Sequence, residues 1–293
     1  MSNPEETLTP SDAPIRHFAS DMGLATLMVT MERSVASARL SQGIESPRGG
    51  VSLAMLLTLV DITASSPMLA ITKGWTATQD LSISLLAQPT VGPVVADNRV
   101  LRVGKKSVVM SSELYDTGGL EDLHEIATLL AEGVPDSFVH CARAITTYVR
   151  IPREAASQVD DYDPENWIGE VQGPVATGPV EGYPADLMNL AKIEPEHGVT
   201  ELHLSPYVAN SIGTINGGAQ SLMIEEAAEA MCPGFAATDL LVRFLSQLKV
   251  GPARSAGRVL RRDPSGAVVE ITLHDAGNED KLLTMATVTL APR

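Results

Sequence analysis

The sequence predicts an α+β fold made of two similar halves, each an antiparallel sheet wrapped around one long, mostly apolar helix. The first observation behind this reading is an internal repeat, whose period and content report a duplicated architecture. Moved by 159 residues, Asp80–Asp116 falls on Asp239–Asp275 without a gap, and 14 of the 37 positions are identical. Among them are Gln88 and Gln247, Val91-Gly92-Pro93 and Val250-Gly251-Pro252, and Arg99-Val100-Leu101-Arg102 and Arg258-Val259-Leu260-Arg261. The second observation is a Gly-Gly pair opening an apolar run that carries an acid in each half: Gly49-Gly50 before Asp61, and Gly217-Gly218 before Glu225. A helix lying on a sheet buries most of its circumference, so it reads as nearly all apolar. The third is period-two alternation in the segments after each helix, as in half-buried strands.

Each element follows in chain order. Residues 1–14 hold three prolines and no periodicity, so they are expected to be disordered. The first domain is expected over 15–153. Leu27, Val29 and Met31 alternate within a strand-like stretch from Gly23 to Leu40, and the first apolar helix follows the Gly-Gly pair. Segments 77–88, 94–103 and 107–116 alternate between P-T-V-G-P and V-G-K-K breaks, giving three antiparallel strands. Leu120, Leu123, Ile126, Ala127, Leu130 and Ala131 recur at helical spacing and predict an amphipathic helix. Val139–Ile151 returns to strand character. The closing strands of the two halves match at an offset of 140, so the first copy holds about 19 extra residues, which that helix accounts for. Residues 154–184, acidic and rich in Pro and Gly, are the expected linker. The second domain, 185–293, starts over: strands near Leu187–Ile193 and Gly198–Leu204, the second helix, then 236–247, 253–262, 267–275 and Leu282–Leu290.

Composition narrows the partners. The formal net charge of −15 disfavours nucleic acid and anionic membranes, which call for a basic surface. Cys141 and Cys232 are too few and too far apart for a disulfide framework or a cysteine metal site. The six histidines fall at no ligand spacing, and no G-x-S-x-G elbow is present, so neither a metal centre nor a Ser-His-Asp hydrolase is expected. The N-terminus is acidic rather than signal-like, and the longest apolar run, Val51–Val60, is too short to span a bilayer. A soluble, cytoplasmic protein without a membrane span is expected.

The stretch N-S-I-G-T-I-N-G-G-A-Q-S-L-M-I-E-E-A-A, from Asn210 to Ala228, carries the chemistry. Paired glycines at a helix mouth let a ligand approach the backbone, and the first N–H groups of the helix are free to donate to an oxygen gaining charge. The same pattern also suits an ordinary turn capping a core helix.

This stretch resembles the hotdog-fold acyl-CoA thioesterases of the phenylacetyl-CoA type, whose mark is N-x-x-G-x-x-H-G-G followed seven residues later by Asp or Glu. Asn210, Gly213, Gly217, Gly218 and Glu225 fall at those positions, with Asn216 where the family has His. T-Q-D-L-S-I and V-L-R-V-G-K-K-S-V-V-M-S-S-E-L-Y-D of the first half are similar to the family's third and fourth strands. The resemblance covers roughly 20–153 and 185–293 and implies a tandem, double hotdog that hydrolyses an acyl-CoA thioester to a free acid and coenzyme A. Coenzyme A is then part of the substrate, no separate cofactor is expected, and the units are expected to form a homo-oligomer, a dimer or trimer of double hotdogs.

In that family each site is shared between two hotdog units. The first site would pair Asp61 with Asn210, Asn216 and Gly217. Asn210 would hold the thioester carbonyl, Gly217 would supply an oxyanion-binding N–H, and Thr78 would help place the attacking water. The second would pair Glu225 with Gln42, Arg48 and Gly49, and it has Ala237 where the first has Thr78. One irregularity stands: Asp61 follows Gly50 by eleven residues, whereas Glu225 follows Gly218 by seven. Either the first helix begins a turn later than its glycines, or its acid lies about 6 Å further along. Arg102, Lys105 and Lys106 match the family's basic turn and would bind coenzyme A phosphates, with Arg254, Arg258, Arg261 and Arg262 as the second cluster. An enoyl-CoA hydratase and a non-catalytic acyl-CoA-binding protein are the competing readings.

Overall fold

The computed structural model describes residues 17–72, 76–151, 164–173 and 180–293; the expected disordered segment 1–14 lies outside them. The first half runs α1 (Phe18–Asp21), β1 (Ala25–Thr30), β2 (Arg33–Ala38), α2 (Leu53–Thr63), α3 (Ser65–Thr72), β3 (Thr76–Leu85), β4 (Val94–Val103), β5 (Ser107–Asp116), α4 (Leu123–Glu132) and β6 (Val139–Arg150). Part of the expected linker is ordered against this half: β7 (Val171–Gln172) pairs with β1 through Leu27 and Val171. The second half follows as α5 (Pro184–Leu187), β8 (Ala191–Glu194), β9 (Val199–Leu202), α6 (Gly217–Met231), β10 (Phe235–Phe244), β11 (Ala253–Asp263), β12 (Gly266–Asp275) and β13 (Lys281–Pro292). The strand expected over Leu187–Ile193 is therefore split: Pro184 starts a short helical turn, and only Ala191 onward is extended.

The strands make one sheet in the order β7-β1-β2-β4-β5-β6-β3-β10-β13-β12-β11-β9-β8. Apart from β7, the order reads alike from both edges once each strand is matched to its repeat. The halves meet at β3 and β10, whose antiparallel register joins Asp80 to Arg243, Ser82 to Leu241 and Ser84 to Asp239. Ser82 and Leu241 are repeat equivalents, so a pseudo-twofold axis passes through this pair.

The conserved sequence between the copies has a local cause. Asp116, at the end of β5, accepts the backbone N–H groups of Thr90, Val91 and Gly92. Asp275, at the end of β12, accepts those of Lys249, Val250 and Gly251 in the same way. Burial opposes both charges, but these donors hold both carboxyls below their ordinary value. The matching V-G-P turns are thus fixed by one acid each.

Helices α2 and α6 lie together on the inner face of the sheet, and nearly every side chain of α2 is buried. Contact between them is close: a Cβ at Gly218 would overlap Thr58 of α2. The extra helix α4 covers the other side of the first half. Its N-cap Asp122 accepts from the His124 and Glu125 N–H groups, and Leu123, Ile126 and Leu130 bury against Leu27, Val35, Val95 and Phe138.

Candidate active site at one end of the central seam

Both helix mouths are built by the same backbone device. In the second half, the Asn210 N–H bonds to the Thr214 carbonyl, the Asn216 N–H bonds to the Val208 carbonyl, and Ala209 bridges Ile215. In the first half, Ser46 bonds to Gly50, Ser52 bonds to Ile44, and Glu45 bridges Val51. Gly213 and Gly49 hold the positive φ that each turn requires. Asn216 caps α6 and Ser52 caps α2. Equivalent positions are therefore Asn210 and Ser46, Asn216 and Ser52, and Gly217 and Leu53.

This equivalence corrects the motif alignment of the first half. Gly49-Gly50 belong to the turn and not to the helix mouth, and α2 starts at Leu53. Asp61 and Glu225 each stand nine residues beyond their N-cap, so the irregular spacing reflects a later helix start. Gln42 and Arg48 are not at motif positions. Gln42 accepts the Gly182 N–H, and Arg48 is held by Glu226 and Glu229.

Beyond Asp80 and Arg243 the paired register of β3 and β10 ends, and a cavity of about 510 Å³ opens between the halves. Asp61, Thr78, Asn210, Asn216 and Gly217 all line it. Thr78 Oγ1 donates to Asp61 Oδ1 at 2.6 Å, leaving Oδ2 toward the α6 mouth. A Cβ at Gly217 would stand 3.0 Å from that Oδ2 and 3.1 Å from Phe244 Cζ, so only glycine leaves the gap open. Among the described residues no acceptor pairs with the Gly217 N–H, as befits the first residue of a helix. Asn216 Oδ1 accepts the Gly218 N–H, and Asn210 Oδ1 accepts those of Ile212 and Thr214. Both side-chain amides are thereby fixed, with their NH2 groups free of described acceptors. Burial pushes the Asp61 carboxyl up to about 6, against the pull of the Thr78 hydroxyl. Ile62, Met68, Tyr148 and Val149 add an apolar wall, and His17 enters from the first half.

Glu225 occupies the equivalent place at the other end of the seam, away from this cavity. Its carboxylate accepts the Leu53 N–H at 2.9 Å, the Ala54 N–H at 3.0 Å and the Ser52 hydroxyl. Burial, then the nearby Glu229, push its carboxyl upward, and the Ser52, Ala54 and Leu53 donors oppose them. Beside it, Glu226 meets Arg48 at 2.7 Å and Lys192 at 3.0 Å, and Glu229 meets Arg48, Arg293 and the Ala237 N–H.

Arg102, Lys105 and Lys106 are exposed on β4 and the turn into β5. The turn adjoins the cavity wall through β6: Ser107 pairs with Val149, and the Arg150 N–H bonds to the Lys106 carbonyl at 3.0 Å. Exposed Arg150 joins the cluster, a residue that alternation alone did not single out. By contrast, Arg254, Arg258 and Arg261 are paired with Glu201, Glu270 and Asp263. Among the described residues no group of His, Cys, Asp and Glu converges as a metal site, and no helix is long and apolar enough to cross a membrane.

No protein-family model matches the chain, and no curated protein matches its sequence. Solved structures do match its shape. The tesB protein of Mycobacterium avium subs paratuberculosis superposes with a TM-score of 0.57 at 10% identity, covering 94% of this chain and 98% of that one. A conserved protein of unknown function with a hot dog fold from Alicyclobacillus acidocaldarius gives 0.55 at 11% identity, over 94% and 97%. An acyl-CoA thioesterase II, TesB2, from Mycobacterium marinum gives 0.51 at 10% identity, over 94% and 96%. At such identities the likeness reports architecture, and it runs nearly end to end: this chain has the hotdog fold.

Proposed function

We propose that the chain is a double hotdog acyl-CoA thioesterase, hydrolysing an acyl-CoA to a free acid and coenzyme A at a site shared by its halves. The observation that carries this reading is one arrangement: Asp61 of the first half, tethered by Thr78, stands beside Gly217 at the α6 mouth of the second half, and both line one cavity. The thioesterase names of structures with this fold agree with it.

In this reading the thioester carbonyl sits at the α6 mouth. Asp61, ionised at neutral pH yet more basic than an exposed carboxylate, takes a proton from water as the water oxygen bonds to the carbonyl carbon. The Gly217 N–H, at the positive end of α6, and the Asn210 amide receive the oxyanion. Collapse breaks the C–S bond, and the departing thiolate regains the proton. Direct attack by the carboxylate uses the same geometry and gives a mixed anhydride; label found in Asp61 after a single turnover in 18O-labelled water would show that route, with water opening the anhydride at the Asp61 carbonyl carbon. Arg102, Lys105 and Lys106, beside the cavity wall, receive the phosphates of coenzyme A.

The test is a panel of acyl-CoAs with free thiol as the readout. Thiol release is expected. Hydration of an enoyl-CoA without thiol release would make the protein a hydratase, and tight binding without turnover would make it an acyl-CoA-binding protein. Light scattering on the same sample reads the expected homo-oligomer.

A further inference from the structure

Helix α6 passes Glu225 without a break, whereas the corresponding helix of the first half stops two residues after Asp61 and restarts at Ser65. The cause is Pro67. Proline has no N–H to return to the carbonyl four residues back, and its ring collides with that carbonyl. The last regular bond joins the Ala64 N–H to the Val60 carbonyl; Pro67 removes the donor of the Thr63 carbonyl, and the Asp61 and Ile62 carbonyls are left at the helix end.

All three are taken up by side-chain hydroxyls. Ser34 Oγ donates to the Thr63 carbonyl at 3.0 Å, Ser65 Oγ to the Ile62 carbonyl at 2.5 Å, and Tyr148 Oη to the Asp61 carbonyl at 2.9 Å. A buried carbonyl without a partner is costly, so the set is what makes the break tolerable. The last bond differs in kind, because it grips the peptide of the acid itself. The Tyr148 ring also lines the cavity, together with Ser65 and Met68 of the diverted α3. In the second half the repeat places Val288 at the Tyr148 position, and no break exists there to be bridged.

We infer that Tyr148 is a positioning residue for Asp61: its hydroxyl fixes the backbone of the acid at the Pro67 break and so sets where the carboxylate points. The inference rests on the proposed hydrolysis at Asp61. Thr78 holds one carboxylate oxygen, Tyr148 holds the main chain behind it, and together they leave Oδ2 in front of Gly217.

Tyr148→Phe keeps the ring and removes the hydroxyl. Ser34→Ala removes the sister hydroxyl two residues along the same break and serves as the comparison. Both should lower the melting temperature, Ser34→Ala by at least as much, because Ser34 Oγ also accepts from the Asn98 amide. Tyr148→Phe alone should lower kcat, by about tenfold at unchanged KM, while Ser34→Ala keeps kcat within about twofold. Equal kcat in the two variants, or losses that simply follow melting, would overturn the inference. Should the parent release no thiol from any acyl-CoA, the proposed function fails, and the placement is read instead from the Asp61 carboxyl titration by NMR. A midpoint that drops toward the ordinary carboxylate range in Tyr148→Phe supports the positioning role, and one that stays near the parent's refutes it.

Discussion

At one end of the β3–β10 seam Asp61 stands off from the mouth of α6; at the other end Glu225 reaches the mouth of α2 and closes on it. Two substitutions account for most of this difference. Glutamate is one methylene longer, enough for its carboxylate to take the Leu53 and Ala54 N–H groups that a substrate oxygen would need. Leu53, wholly buried, also fills the space that Gly217 leaves empty. The neighbours follow suit. Thr78 orients Asp61, while Ala237 offers only its N–H, and that goes to Glu229. One pseudo-equivalent site thus keeps a free donor and a free carboxylate oxygen, and the other has joined them to each other. In the proposed reading, reactivity depends on a hydrogen bond that is not made.

The comparison can be broken most directly at the acids. Asp61→Asn keeps size and removes the base, and a fall of at least about 100-fold in kcat is expected by thiol release. Its fold should not suffer. The folded protein holds the Asp61 proton more tightly than the unfolded chain, so ionisation of this acid lowers stability as pH rises from 3.8 through about 6. The Asn variant should therefore melt no lower than the parent at pH 8. The same raised value predicts that kcat/KM of the parent is full above pH 6 and falls about tenfold per pH unit below it. A profile flat down to pH 5 would remove Asp61 from the mechanism.

Next in size, Thr78→Ala gives the first site the residue of the second. A loss of about tenfold in kcat is expected, the scale of one hydrogen bond to a charged group. At the basic turn, Lys105→Glu with Lys106→Glu should raise KM several-fold with kcat nearly unchanged, because phosphate contacts bind ground and transition states alike. An unchanged KM would put the phosphates elsewhere. The smallest catalytic effect belongs to Glu225→Gln. It should keep kcat within about twofold yet cost about 2 kcal/mol in denaturant melts, since an amide cannot accept from all three donors. If this variant is dead and Asp61→Asn turns over normally, the two ends have been assigned the wrong way round.

The repeat made the architecture legible. Strand alternation, the V-G-P turns and the closing Asp116 and Asp275 are read in the sequence because they answer to backbone geometry that both halves share. The extra amphipathic helix was legible for the same reason, as an interruption of that match. The mouth of α2 was not. Gly49-Gly50 imitates Gly217-Gly218 in letters, but its glycines serve a positive-φ turn, and the N-cap role falls to Ser52. Hydrogen bonds at Ser46 and Ser52 reveal this, and no periodicity does. Tyr148 escaped attention for a different reason. It reads as one more inward residue of an alternating strand, and its partner is a main-chain carbonyl at the end of a helix that stops short of Pro67, some eighty residues away. The linker region likewise read only as acidic and rich in Pro and Gly, though Val171 in its second half completes a strand pair with Leu27.

The closed end also says something about how such a protein is able to change. If each half were a separate chain pairing with a copy of itself, a leucine at the helix mouth would be inherited by both ends at once, and a single substitution would extinguish every site. Joined in one polypeptide, the halves are independent loci. Leu53 and Glu225 seal one end while Gly217 and Asp61 are untouched. The sealed end carries a different duty: Arg48 of the first half and Arg293 at the end of the second meet on Glu229, so the counterpart of the candidate pocket fastens the two halves together.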